Sequence, residues 1–259
     1  MKKILALLVA LALFVVSCGK GEKLKVGATP VPHGEFLKLV KDDLKKQGVD
    51  LEIVEFNDYI LPNKALADKS IDANFFQHVP YMEDFAKRNN IPLVSVGNVH
   101  LEPMALYSKK IKNVSELQDG AKVVVPNDPT NRGRALILLE KQGLIKLKDA
   151  NNLLSTVLDI VENPKNLNIT EVDTSVAARA LDDVDLAVVN NTYAGQVGLN
   201  AQDNGVFVED KDSPYVNIIV ARTDNKDSKA VQDFVKSYQT EEVYDEAKKY
   251  FKDGVVKGW

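Results

Sequence analysis

The chain holds a single cysteine, Cys18, and three scattered histidines, His33, His78 and His100. A lone thiol cannot close an internal disulfide or build a zinc–thiolate site. Lys and Arg total 33 against 37 Asp and Glu, a net charge of −4 with no long block of one sign. That excludes the basic surface on which nucleic-acid binding depends. The sequence contains no GxSxG elbow, no HExxH helix and no P-loop. Serine-triad hydrolysis, zinc-helix proteolysis and nucleotide hydrolysis therefore have no motif to rest on. Beyond the N-terminus, no run is apolar enough to span a bilayer.

What is there begins at that N-terminus. Lys2 and Lys3 precede an unbroken apolar run, Ile4–Val16, which leads into Val15-Val16-Ser17-Cys18. Basic start, short apolar middle and small residue before a cleavage point describe a secretion signal. The run is thirteen residues, against the ~20 a membrane-spanning helix needs. A cysteine directly after such a segment resembles the lipobox of bacterial lipoproteins, although Val15 stands where leucine is usual. The alternative is an ordinary signal peptide with a chance cysteine. On the lipoprotein reading, residues 1–17 are a signal peptide and 18–23 an anchor and tether, with Cys18 lipidated and GKGEK as a flexible spacer. Removing 1–17 from the 259 residues leaves 242, with 31 basic and 37 acidic side chains. That is long enough for one large or two ordinary domains.

Through the remainder, strand-like and helix-like segments alternate. Leu24–Gly27 reads as a strand, Gly34–Gln47 as an amphipathic helix, and Asp50–Phe56 as an alternating strand. Tyr59–Lys69 and Pro80–Asn89 read as helices around a short strand at Ile71–Phe75. Pro92–Val99 and Pro103–Ser108 are strand-like. The rhythm restarts with strand Lys122–Val125 and helix Pro129–Gln142, then helix Val176–Leu181, strands Asp185–Val189 and Tyr215–Arg222, and a charged helix over Ser228–Phe251. Repeated βα alternation implies mainly parallel sheets covered by helices. Eight clean βα units cannot be counted, which favours two α/β lobes over a barrel.

Three segments carry chemistry. In Val125–Leu136 (VPNDPTNRGRAL) a buried strand runs into a helix opened by Asp128-Pro129. Arg132 and Arg134 sit in its first turns, where cations oppose the dipole unless an anion lies between. A guanidinium suits a carboxylate best, and Asn131 falls on the inward row beside it. Two solvated surface arginines are the alternative. In Asn74–Tyr81 (NFFQHVPY), His78 and Tyr81 share a helix face. With Phe76 and with Tyr59 of NDYI they put aromatic groups at the carboxyl ends of strands, where open α/β sheets bind ligands. Such walls suit an apolar or thioether side chain; a core aromatic cluster is the alternative. Third, Asn190-Asn191 follows a strand, and Asn217 interrupts the apolar run Val216–Val220. A buried amide needs a partner, and an asparagine carbonyl can accept from an ammonium without burying a second charge.

The segments FFQHVPY, HLEPMALYS, PNDPTNRGRAL, NPKN, DDVDLAVVNNTYA and YVNIIV, in that order behind a lipobox, resemble the methionine-binding lipoproteins of the NlpA family across essentially the whole mature chain. The resemblance implies a two-lobe α/β fold like the type II periplasmic binding proteins, each lobe a mainly parallel sheet flanked by helices and joined to the other by a hinge. The expected lobes are 24–108 plus 218–259, and 109–217. It implies a monomeric receptor, lipid-anchored at the cell membrane and facing the periplasm or exterior, that captures methionine for an ABC importer permease and its ATPase. No catalytic residue, cofactor or metal is implied, and no nucleic acid. Carried over, the carboxylate-gripping arginine is Arg134 with Asn131 nearby. The side-chain pocket is Tyr59, Phe76, His78 and Tyr81, and the polar partners are Asn190 and Asn217. Arg132 stays outside the set, and Asn191 adjoins it.

Competing expectations are a receptor for a methionine derivative or methionine-bearing dipeptide, a secreted hydrolase assembled from scattered residues, a metal site from His33, His78 and His100, and a tethered surface module without a ligand.

Overall fold

The alternation of Glu22–Ala28 (EKLKVGA) buries Leu24, Val26 and Ala28, and this segment is β1 in the computed structural model, which describes residues 21–259. The signal segment, Cys18 and the first two tether residues, Gly19 and Lys20, lie outside the described residues. After β1 come α1 (Glu35–Leu39), α2 (Lys41–Lys46), β2 (Val49–Glu55), α3 (Leu61–Ala67), β3 (Ala73–His78), α4 (Val79–Asn89) and β4 (Leu93–Leu101). The helix expected over 34–47 is thus broken at Val40, yet both halves feed one core through Phe36, Leu37, Val40 and Leu44.

The chain then builds a second sheet from β5 (Ala105–Tyr107), β6 (Lys122–Pro126), α5 (Pro129–Lys141), β7 (Lys146–Leu147), β8 (Ile160–Glu162), β9 (Asn168–Val172), β10 (Leu186–Val189), α6 (Asn191–Gln196), α7 (Ala201–Asn204) and β11 (Gly205–Val208). It returns through β12 (Val216–Arg222), α8 (Lys229–Tyr238), α9 (Glu241–Phe251) and β13 (Val256–Lys257). The helix expected over 228–251 is two, because Thr240 accepts from the Val243 N–H and so caps a new helix. The segment around Val176–Leu181 winds as a 3₁₀ stretch, Thr174–Asp182.

The first sheet runs β13-β4-β12-β3-β1-β2 and the second β11-β5-β10-β6-β9. Neither is mainly parallel, which corrects the expectation. β1 pairs parallel with β2 and β3, but β12 pairs antiparallel with β3 and β4. In the second sheet β6 pairs parallel with β9 and β10, while β5 is antiparallel to β10 and β11. The antiparallel halves arise where the chain changes sheets. It leaves between Leu101 and Ala105 and returns between Val208 and Val216. The outward crossing therefore lies earlier than the expected border at 108, since Ala105–Tyr107 pairs within the second sheet. Val216 and Asn217, expected in the second lobe, pair within the first.

Helices cover both faces of the first sheet. Phe36, Leu44, Val231, Phe234 and Phe251 fill one side; Leu66, Ile71, Met82, Ile218 and Val220 fill the other. The second lobe packs Leu136 and Leu139 of α5 on Val123 and Val125. Gly143, at φ +66°, ends α5 in a conformation other side chains rarely adopt. A further cluster joins the lobes: Tyr59, Phe76 and Tyr81 from the first meet Val124, Ala187 and Tyr193 from the second. Side chains of the two lobes thus touch across the cleft between them.

Candidate functional site

In the first lobe, the site hangs on the junction of β3 and α4. His78 ends the strand in extended geometry and caps the helix, its Nδ1 accepting from the Tyr81 N–H at 3.2 Å. That leaves Nε2 to carry the ring proton. The Tyr81 hydroxyl donates to the Tyr59 carbonyl at 2.7 Å, so the helix holds the loop bearing Tyr59. Ring centroids of Tyr59 and Phe76 lie 5.6 Å apart, and Tyr193 closes on Tyr59 at 5.0 Å. The backing is polar and satisfied: Gln77 exchanges hydrogen bonds with Asn63 at 2.7 and 2.9 Å and donates to Asn74 at 2.8 Å. Asn217 stands opposite His78 in the β12–β3 register.

In the second lobe, Asp128 caps α5. Its carboxylate accepts from the Asn131 N–H at 3.0 Å, from the Asn131 side-chain amide, and from the Thr174 hydroxyl at 2.8 Å. This fixes the Asn131 amide, turning Oδ1 to accept from Asn190 Nδ2 at 2.8 Å and from His78 Nε2 at 3.3 Å. Gly133 faces outward from the site: a Cβ there would sit 2.1 Å from the Leu153 carbonyl oxygen. Only glycine lets the 149–155 segment lie this close to α5.

Arg134 does not wait freely for an anion. Its Nε donates to Glu209 Oε1 at 2.9 Å, its Nη2 to Glu209 Oε2 and, at 2.9 Å, to the Glu102 carbonyl. The Tyr215 ring lies 4.5 Å from the guanidinium carbon, within cation–π range. Arg134 and Glu209 side chains are only 5% and 6% exposed. Burial opposes the charge, but Glu209 outweighs it and raises the arginine pKa above its ordinary value. Glu209 is also hydrogen-bonded by the Met104 N–H, and its own N–H donates to the Met104 carbonyl, so the two inter-lobe crossings are laced together beside Arg134.

All eight residues expected to face a ligand, Tyr59, Phe76, His78, Tyr81, Asn131, Arg134, Asn190 and Asn217, line one small cavity between the lobes. Gln77, Glu102, Asn191 and Thr192 also line it. Gln77 and Asn191 adjoin expected residues in sequence and Thr192 lies two positions from Asn190; Glu102 has no such neighbour. Asn190 Oδ1 and Asn191 Nδ2 are buried without hydrogen-bond partners among the described residues, one acceptor and one donor. Arg132 points elsewhere, to the Ser155 carbonyl and Glu171.

Burial drives the titration of the site. It lowers His78 to about 3, with Arg134 adding to the effect, so the ring is neutral. It raises Tyr59, Tyr81 and Tyr193 above the ordinary range and Tyr215 to about 12. His33 and His100 do not join His78; their Nε2 atoms meet at Glu102 Oε1, 2.9 and 3.3 Å away.

An aromatic pocket at one end and paired polar groups at the other describe a site for a small amphipathic molecule. The NlpA lipoprotein family model matches residues 24–259. The chain belongs to the NlpA lipoprotein family. A probable D-methionine-binding lipoprotein MetQ of Haemophilus influenzae is 76% identical over 92% of this chain and 88% of its own length. The D-methionine-binding lipoprotein MetQ of Escherichia coli K12 is 54% identical, covering 96% of this chain and 94% of itself. Among solved structures, the methionine binding protein MetQ superposes with a TM-score of 0.87 at 53% identity, over 92% of this chain and 98% of that one. A nutrient binding protein from Burkholderia cenocepacia, solved bound to methionine, gives 0.88 at 42% identity, over 91% and 100%. This NlpA chain therefore has the two-lobe binding-protein fold. No helix among its described residues is long and apolar enough to cross a membrane.

Proposed function

We propose that the protein captures methionine between its lobes and hands it, chemically unchanged, to an ABC importer. The observation that carries this reading is the polarity of the cavity. At one end Tyr59, Phe76 and Tyr81 offer ring faces and edges, to which a thioether is attracted by ~0.3–1.5 kcal/mol. At the other, Arg134 and the unpartnered Asn191 Nδ2 suit a carboxylate, and the unpartnered Asn190 Oδ1 suits an ammonium. Glu209 holds the arginine by its Nε edge, which leaves Nη1 for the ligand. The names of the relatives, and a neighbour solved with methionine bound, point the same way.

On this reading the importer's permease receives the ligand and its ATPase supplies the energy. Cys18, lipidated and left as the mature N-terminus once residues 1–17 are removed, would hold the receptor at the outer face of the membrane. A short tether then raises its effective concentration at the permease. The test is calorimetric titration of protein unfolded and refolded to strip retained ligand, with L- and D-methionine separately. Saturable binding of at least one, with a matching rise in melting temperature, is expected. Flat titrations with both would overturn the proposal.

A further inference from the structure

We infer that Glu102 is the anionic acceptor for the ligand's ammonium group, and therefore the residue that makes a free α-amino group obligatory; this rests on the amino-acid reading above. Among the described residues lining the cavity, only two carry charge, Arg134 and Glu102. One cation and one anion among the residues lining one small cavity complement a zwitterion. Arg134 is matched to a carboxylate, which leaves Glu102 for the opposite end.

Glu102 has acceptor capacity to spare. Its side chain is 6% exposed, and Oε1 faces His33 Nε2 at 2.9 Å and His100 Nε2 at 3.3 Å. Both are ion-pair distances, and the two rings favour the ionised carboxylate, although none of the three atoms has a hydrogen-bond partner among the described residues. Arg134 does not neutralise this carboxylate, since it binds the Glu102 backbone carbonyl and gives its charge to Glu209. An ammonium brings three donors and the compensating charge. Asn190 Oδ1 is a second, neutral acceptor in the same cavity. A deaminated acid of the same shape would instead add a second negative charge to a cavity whose cation is already paired.

The test compares methionine with 2-hydroxy-4-(methylthio)butanoate by calorimetry, in the parent and in Glu102→Gln. The parent should prefer methionine by about 100-fold or more, the scale of a charge-assisted bond plus the repulsion. In Glu102→Gln the preference should fall at least tenfold, through weaker methionine binding with the hydroxy acid unchanged or tighter. Equal weakening of both ligands would mark Glu102 as merely structural and overturn the inference. If Glu102→Gln fails to fold, the parent alone decides: a hydroxy acid bound within threefold of methionine overturns it. A parent that binds neither ligand would overturn the proposed function itself.

Discussion

His78 Nε2 donates across the cleft to Asn131 Oδ1 at 3.3 Å, so a first-lobe imidazole and a second-lobe amide meet in the wall of the cavity. Each is held from behind, His78 by the Tyr81 N–H and Asn131 by Asp128. Only a neutral ring can accept at Nδ1 while donating at Nε2. A doubly protonated imidazole would lose its cap on α4.

This gives a pH dependence with a defined sign. His78 is depressed from 6.5 to about 3, so the unfolded chain binds the extra proton first. The stability of the neutral ring is complete above 6.5 and is lost as pH falls toward 3, at up to about 1.4 kcal/mol per unit. Glu102 is also depressed, from 4.5 to about 2; burial opposes its charge, but His33 and His100 outweigh that. Its contribution is present above 4.5 and lost below. Between pH 6.5 and 4.5, of these two groups only His78 acts. Urea midpoints should decline across that window in the parent and less steeply in His78→Asn; an unchanged slope would rule out His78 as the source.

Arg134 and Glu209 can be separated by paired substitutions. Arg134→Met strands a buried carboxylate and should destabilise the protein by about 3–5 kcal/mol. Arg134→Met with Glu209→Gln removes both charges and should regain most of that stability while methionine affinity stays at least 100-fold below the parent. Recovery of affinity in the double variant would show that the guanidinium does not hold the ligand.

The aromatic end is tested by sulfur against carbon. Norleucine replaces the thioether with a methylene of similar size. The parent should favour methionine over norleucine by up to about tenfold, and Tyr59→Leu should shrink that ratio while lowering both affinities. A ratio unaffected by Tyr59→Leu would place the sulfur elsewhere.

Anchoring should be separable from binding. Cys18→Ala should move the protein from membrane pellets to the soluble extracytoplasmic fraction, with methionine affinity unchanged. Continued sedimentation with membranes would remove Cys18 as the attachment point.

The groups that meet through local geometry were legible in the sequence. His78 and Tyr81 are three apart at a helix start, Asn131 follows its own cap Asp128, and Asn217 stands out in an apolar strand. What stayed hidden depends on distant pairings. Glu209 reaches Arg134 across 75 positions, and Glu102, two residues from His100, meets His33 only once β1 and β4 share a sheet. The mixed sheets were hidden for the same reason, because strand direction is set by where the chain crosses between lobes. Short, half-exposed strands such as Asn168–Val172 carry too little apolar alternation to announce themselves. The breaks at Val40 and Thr240 fall inside sequences that read as continuous helix.

The lacing of the two crossings bears on how such a receptor could change its cargo over evolutionary time. Arg134 touches both crossings at once, through the Glu102 carbonyl and through Glu209, which is itself bonded to Met104. Any new headgroup chemistry would have to renegotiate the joint on which the lobes are hung. Tyr59, Phe76 and Tyr81 have no tie to either crossing among their described hydrogen bonds, and their substitution leaves that joint intact. Descendants of this chain would diversify at the ligand's tail and keep its head.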